Sequence, residues 1–173
     1  MIGDRIGARI AHSTLGDIAW HLGQLAEARQ HYDAARRLSE EVDDPPGHCE
    51  DQVNLALLAY RQGDYAVARE HCQQALDLAR GLNDANIQGY ALLFLGHAAL
   101  GMGDCAEAAA AYTESLTLRR ALYQEHLVVE PLAGLAQTWL CQGDLAQARA
   151  YLEALLPYLA ADTVESRTML QGA

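Results

Sequence analysis

Two histidine–cysteine neighbours, His48-Cys49 and His71-Cys72, are the first residues in this 173-residue sequence that invite a chemical reading, because each sets a thiol beside a base. A nucleophilic cysteine needs that base within hydrogen-bond reach. Adjacent residues on a helix point about 100° apart, so neither pair forms a working dyad. The stretch Gly101-Met102-Gly103-Asp104-Cys105-Ala106 has the outline of a dinucleotide-binding turn, but such a turn must follow a strand and open a parallel βαβ unit. Here it coincides with a turn that recurs along the chain. Glu40, Glu41, Asp43 and Asp44 form a charge run at a helix end and read as a solvated face. All 12 basic residues are arginine, which removes the P-loop lysine, the Schiff-base lysine and the lysine general base. No set of nucleophile, base and oxyanion donors assembles, so the sequence predicts neither an enzyme nor a bound cofactor.

The four cysteines, Cys49, Cys72, Cys105 and Cys141, form no CxxC pair and no short Cys/His cluster. No metal site is expected, and all four read as reduced thiols of a core. The charge balance is 12 − 23 = −11, with the arginines scattered singly or in pairs, which excludes phosphate-backbone and anionic-membrane binding. No run of seven apolar residues opens the chain, and the longest greasy stretch, Ala91 to Leu100, is interrupted by Gly96 and His97. A cytoplasmic protein without a membrane span is expected.

The elements that must position any site announce themselves as a repeat. Gly23, Gly63, Gly103 and Gly143 lie 40 residues apart, and three further columns keep that step. They are Leu15/Leu55/Leu95/Leu135, Ala26/Ala66/Ala106/Ala146 and Ala28/Ala68/Ala108/Ala148. Apolar residues recur at helical spacing on both sides of each glycine, so each copy reads as a helical hairpin. The glycine supplies a left-handed turn, and Gln24, Asp64, Asp104 or Asp144 is placed to cap the next helix. One or both of the paired alanines must let the helices approach closely.

The expected first helices are near 6–22, 49–62, 87–102 and 129–142, and the second near 25–42, 65–81, 105–122 and 145–159. Pro45, Pro46 and Gly47 predict a break, Pro131 a first helical turn, and Pro157 a bend or an end. The whole of 1–173 reads as one all-α domain: a right-handed α-α superhelix of four hairpins, about 9–48, 49–88, 89–128 and 129–168, plus a C-terminal partial helix.

Leu92, Leu95, Gly96, Gly103, Asp104, Ala108 and Tyr112 together resemble a tetratricopeptide repeat (TPR). The 40-residue period exceeds the usual 34 or so. His12, Gln52, Leu92 and Leu132 stand where that family opens with tryptophan, and no proline closes each copy. The long repeats resemble helical arms of bacterial signalling ATPases and transcription activators, including the maltose-regulator type. The resemblance implies a scaffold whose first helices line a concave groove that binds a protein or peptide. It also implies, as alternatives, a small-molecule sensor arm or a self-assembling structural module. The groove-facing set it implies is Ser13, Asp17, Trp20 and His21; Val53, Asn54, Leu57, Tyr60 and Arg61; Tyr90, Leu93, Phe94, His97 and Leu100; Ala133, Gln137 and Leu140. Asp17, Trp20, His21, Leu57, Tyr60, Arg61, Tyr90, Phe94, His97 and Gln137 are the expected partner contacts. Gly3-Asp4 stands 80 residues before Asn83-Asp84, so the chain is expected to be a piece of a longer array. Uncapped ends of such an array would favour a homo-oligomer.

Overall fold

The computed structural model of the chain describes the backbone of residues 2–171 and the side chains of residues 4–159. Among these residues there are eight α-helices and no strand: α1 (Ile2–His21), α2 (Leu25–Glu41), α3 (Pro45–Gln62), α4 (Tyr65–Leu82), α5 (Ala85–Gly101), α6 (Cys105–Ala121), α7 (Val129–Cys141) and α8 (Leu145–Gln171). Consecutive helices pair into four antiparallel hairpins, which stack as a right-handed α-α superhelix. The first helices α1, α3, α5 and α7 line one side of the stack, and the second helices line the other.

The tip of each hairpin is the glycine turn. Gly23, Gly63, Gly103 and Gly143 have φ of 74°, 82°, 80° and 80°, a conformation that costs glycine nothing and other residues a steric clash. The cap that follows is formed by only part of its column. Asp104 and Asp144 accept from the amides of Glu107 and Gln147, each at 3.0 Å, whereas the side chains of Gln24 and Asp64 accept no capping bond.

A second left-handed column, at the links between hairpins, was not apparent in the sequence because it is not glycine: Asp43, Asn83 and Tyr123 have φ of 53°, 55° and 56°. At the first two links the residue after it caps the next hairpin, whereas Gln124 makes no side-chain cap. Asp44 accepts from Gly47 at 3.1 Å, and Asp84 accepts from Asn86 and Ile87 at 3.0 Å. The expected break at Pro45-Pro46-Gly47 is therefore corrected: these residues are the first turn of α3, where a proline lacks no needed amide. A short 3₁₀ turn, Glu125–Leu127, precedes α7. Pro157 lies inside α8 without ending it, so the helical segment after Leu159 is a continuation of α8.

Within the hairpins, the second alanine of each pair carries the close approach. Ala28, Ala68, Ala108 and Ala148 are all buried, while Ala26, Ala66, Ala106 and Ala146 face solvent. Facing columns then alternate in size from one hairpin to the next: Gly16 receives Tyr32, Ala56 faces Cys72 and Gly96 receives Tyr112, and the 40-residue register makes Ala136 and Leu152 the corresponding pair of the fourth. A Cβ on Gly96 or on Gly134 would stand 2.5 Å from the Tyr112 ring, so the ring occupies a hollow made by two glycines. A polar-to-apolar gradient runs along another pair of columns. His12 and His31 meet Nδ1 to Nδ1 at 3.0 Å, and His71 Nδ1 meets Gln52 Oε1 at 2.7 Å. The matching positions in the last two hairpins are Leu92/Ala111 and Leu132/Tyr151.

The cysteines require a correction. Cys105 and Cys141 form a disulfide, while Cys49 and Cys72 are free and buried. Burial holds the Cys49 thiol up to about 11 and that of Cys72 up to about 12. The repeat register brings the bridge about: the end of each first helix lies over the start of the preceding second helix. Gly101 sits over Tyr65 by the same relation.

Candidate functional site

The inner wall is built from helices with little charge to spare, and α5 carries no ionised residue from Ala85 to Gly101. Between α3 and α5 it opens into a groove of about 330 Å³ lined by Glu50, Val53, Asn54, Leu57, Asn86, Ile87, Tyr90 and Phe94. The three-to-four-residue spacing of Val53 and Leu57, and of Ile87, Tyr90 and Phe94, sets the apolar side chains on facing helical stripes. Their lower neighbours belong to the core, so the aromatic walls are half-buried and fixed in place.

Tyr90 is held from behind. The guanidinium of Arg119, on α6, stacks 4.0 Å from its ring centroid, an arrangement of the cation–π kind. Arg119 is 1% exposed and its Nη1 donates to Asn86 Oδ1 at 2.8 Å and to Gln124 Oε1 at 2.7 Å. Among the described residues no carboxylate lies within ion-pair distance of it, and burial lowers its pKa. Gly89 leaves room for this side chain: a Cβ there would stand 2.8 Å from Arg119 Cζ. The polar rim is similarly tied, with Asn54 Nδ2 donating to Ser13 Oγ at 3.3 Å and Arg9 donating to Glu50 at 3.4 Å.

Of the residues singled out from sequence, Leu57, Tyr90 and Phe94 line this groove, with Val53 and Asn54 beside them. His97 stands next to it, stacked on Tyr60 at 5.4 Å and bonded to the Tyr112 hydroxyl at 2.7 Å. Burial lowers the pKa of His97, which keeps the ring neutral near pH 7. Trp20 and Arg61 form a separate pair, the guanidinium 4.8 Å from the indole. Asp17 accepts from the Tyr32 hydroxyl at 2.8 Å, the same register contact that His97 makes with Tyr112. His21 and Gln137 are exposed and lie outside the groove lining. Leu93 is corrected from the groove to the core, being 3% exposed in the cluster around Tyr112.

Glu50, Asn86 and Ile87 are groove residues that the sequence reading missed. Glu50 occupies the column of Tyr90, which was selected, and Asn86 and Ile87 sit at the start of α5, before or at the edge of the helix as read from sequence. Behind the groove lies a second buried charge group. Arg9 reaches Asp44 at 3.1 Å, Glu50 at 3.4 Å and Asp51 at 3.6 Å. Asp51 is fully buried, and desolvation pushes its carboxyl up to about 6 against the pull of Ser39 and Arg9.

Among the described residues no helix is long and apolar enough to cross a membrane, and no cluster of His, Cys, Asp or Glu has the makings of a metal site. The family described as the MalT-like TPR region matches residues 3–168. No curated protein matches the chain. Among solved structures, BtubC (BKLC) from P. vanneervenii is similar at 18% identity with a TM-score of 0.79 over 90% of this chain, which spans 64% of that one. The TPR domain of Arabidopsis FLU is similar at 19% identity with a TM-score of 0.65, over 68% of this chain and 98% of that domain. At these identities the likeness is one of fold.

Proposed function

Since the chain belongs to the MalT-like TPR family, we propose that it is a non-catalytic protein-interaction arm whose α3/α5 groove takes an apolar segment of a protein partner. Folds of this type mediate protein interactions or serve as regulator arms. The observation that carries the reading is the groove itself: half-buried Val53, Leu57, Tyr90 and Phe94 side by side with two amides and one carboxylate at the rim. Rigid aromatics in a concave apolar setting are the usual anchors of an interface. The groove is weakly charged and the chain carries −11 overall, which supports a protein partner over a nucleic acid.

In this reading Leu57, Tyr90 and Phe94 contact the partner directly, Tyr60 and His97 brace the wall, and Trp20, Arg61, Asp17, His21 and Gln137 extend the contact to either side. A photo-crosslinking residue at Leu57 is expected to trap the partner, and Tyr90→Ala to lower the yield about tenfold. Equal trapping from Gln73, on the opposite side of the stack, or no effect of Tyr90→Ala, would overturn it.

The size of the groove favours one second reading, a sensor arm for a small effector. About 330 Å³ falls within the range of small-ligand pockets. Such an effector would raise the melting temperature in a ligand screen, and Tyr90→Ala would abolish the shift. A regulator arm of this kind would work in the cytoplasm, and recovery of the chain in the cytosolic fraction of its host is the expected result.

A further inference from the structure

The two ends of the stack present apolar side chains in columns that are buried elsewhere, save at the half-buried Arg36. On α1, Leu15 is 46% and Ile18 51% exposed, whereas their counterparts Leu55, Leu95 and Leu135, and Leu58, Ala98 and Thr138, are all buried. On α8, Leu152, Leu156 and Leu159 are 49%, 60% and 54% exposed, whereas Cys72, Tyr112, Leu76, Leu116, Ala79 and Arg119 in the same columns are buried. At the internal junctions these two sets of columns cover each other. Tyr32 packs with Leu55 and Leu58, Cys72 with Leu95, and Tyr112 and Leu116 with Leu135.

We propose that α8 of one copy of this chain docks on α1 of a second copy, head to tail, in the register of the internal junctions. Two observations point to a second copy as the occupant. The alternation of hairpin types stays in phase, because the fourth hairpin (Ala136, Leu152) meeting a first (Gly16, Tyr32) repeats the order in which the second (Ala56, Cys72) meets the third (Gly96, Tyr112). The charges also match. Arg69 crosses that second-to-third junction to reach Glu107 at 2.9 Å. Two hairpins on from Arg69 is Arg149, and two hairpins back from Glu107 is Glu27. Stacking in register therefore sets Arg149 of one copy opposite Glu27 of the next. Both are exposed, and Arg149 now reaches only to Glu153 within its own helix.

A head-to-tail contact uses different patches on the two copies and does not close, so it extends into a filament. Sedimentation velocity on the whole 173-residue chain tests this. The weight-average mass is expected to climb past that of a dimer as concentration rises from micromolar to millimolar. L15E/I18E and L152E/L156E are each expected to stay monomeric with an unchanged helical circular-dichroism signal, since all four side chains are exposed. Mixed in equal amounts, they are expected to give a one-to-one dimer and stop there, because each retains the face the other has lost. Adding E27R to the second partner should weaken that dimer about fivefold, and R149E on the first should restore it. A wild-type mass that stays flat, a mixture that stays monomeric, or dimerisation of either variant alone would each overturn the proposal.

Discussion

Gly96→Ala should destabilise the chain while Tyr112 is present and stabilise it once Tyr112 is removed. The added methyl would stand 2.5 Å from the Tyr112 ring, more than 1 Å inside a normal carbon–carbon contact of about 3.5–4.0 Å. The ring has little room to retreat, because Gly134 also closes on it, so tightly that a Cβ added there would likewise stand 2.5 Å from the ring. Overpacking of this kind costs about 1–3 kcal/mol. In a Tyr112→Leu chain the clash is gone, and the same substitution exchanges a flexible residue for the best helix former, a gain of about 0.5–1 kcal/mol. The two effects differ by about 2–4 kcal/mol, which a double-mutant cycle reads as coupling. Tyr112→Leu itself should cost about 2–4 kcal/mol through the lost ring and the lost bond to His97. Urea unfolding of the four chains, followed by circular dichroism, measures the cycle. An equal cost of Gly96→Ala in both backgrounds would refute the idea that glycine and tyrosine are fitted to each other.

Asp51 titrates from about 6 in the folded chain against a reference of 3.8. Its folded pKa is raised, so its contribution is full below about pH 4 and is lost as pH rises through 6, a fall of about 3 kcal/mol. Asp51→Asn should remove that part of the pH dependence, which unfolding at pH 4.5 and 7.5 will show. Cutting the Cys105–Cys141 bridge, whose ends are 36 residues apart, should cost up to about 4 kcal/mol by loop-closure entropy, measured on Cys105→Ser/Cys141→Ser. The native chain should titrate no accessible thiol, and the unfolded, unreduced chain two, from Cys49 and Cys72.

The helices and their order were legible because a 40-residue step writes the same pattern four times, and the glycines with positive φ mark every hairpin tip. The link turns were not, because Asp43, Asn83 and Tyr123 hold the left-handed conformation without a shared residue type. The groove was half legible. Leu57, Tyr90 and Phe94 follow from helical spacing, but spacing alone does not reveal that Arg119, from another helix, backs Tyr90 or that Leu93 turns inward. Nor did it separate Asp17 and His97, which looked like groove polarity, from the tyrosine hydroxyls that engage them. The disulfide was missed because each cysteine was weighed in its own helix, and the contact exists only between hairpins.

The polar-to-apolar gradient gives the stack a direction. A linear array has no contact between its first and last units, so each hairpin opens against its neighbour alone. Where imidazoles and an amide stand in for leucine, alanine and tyrosine, less hydrophobic burial resists that opening. The chain is then a zip with a preferred end. Amide hydrogens of α1 and α2 should exchange earliest, those of α3 and α4 later and the stapled third and fourth hairpins last, so a ligand seated between α3 and α5 would act as the stop that halts the slider partway.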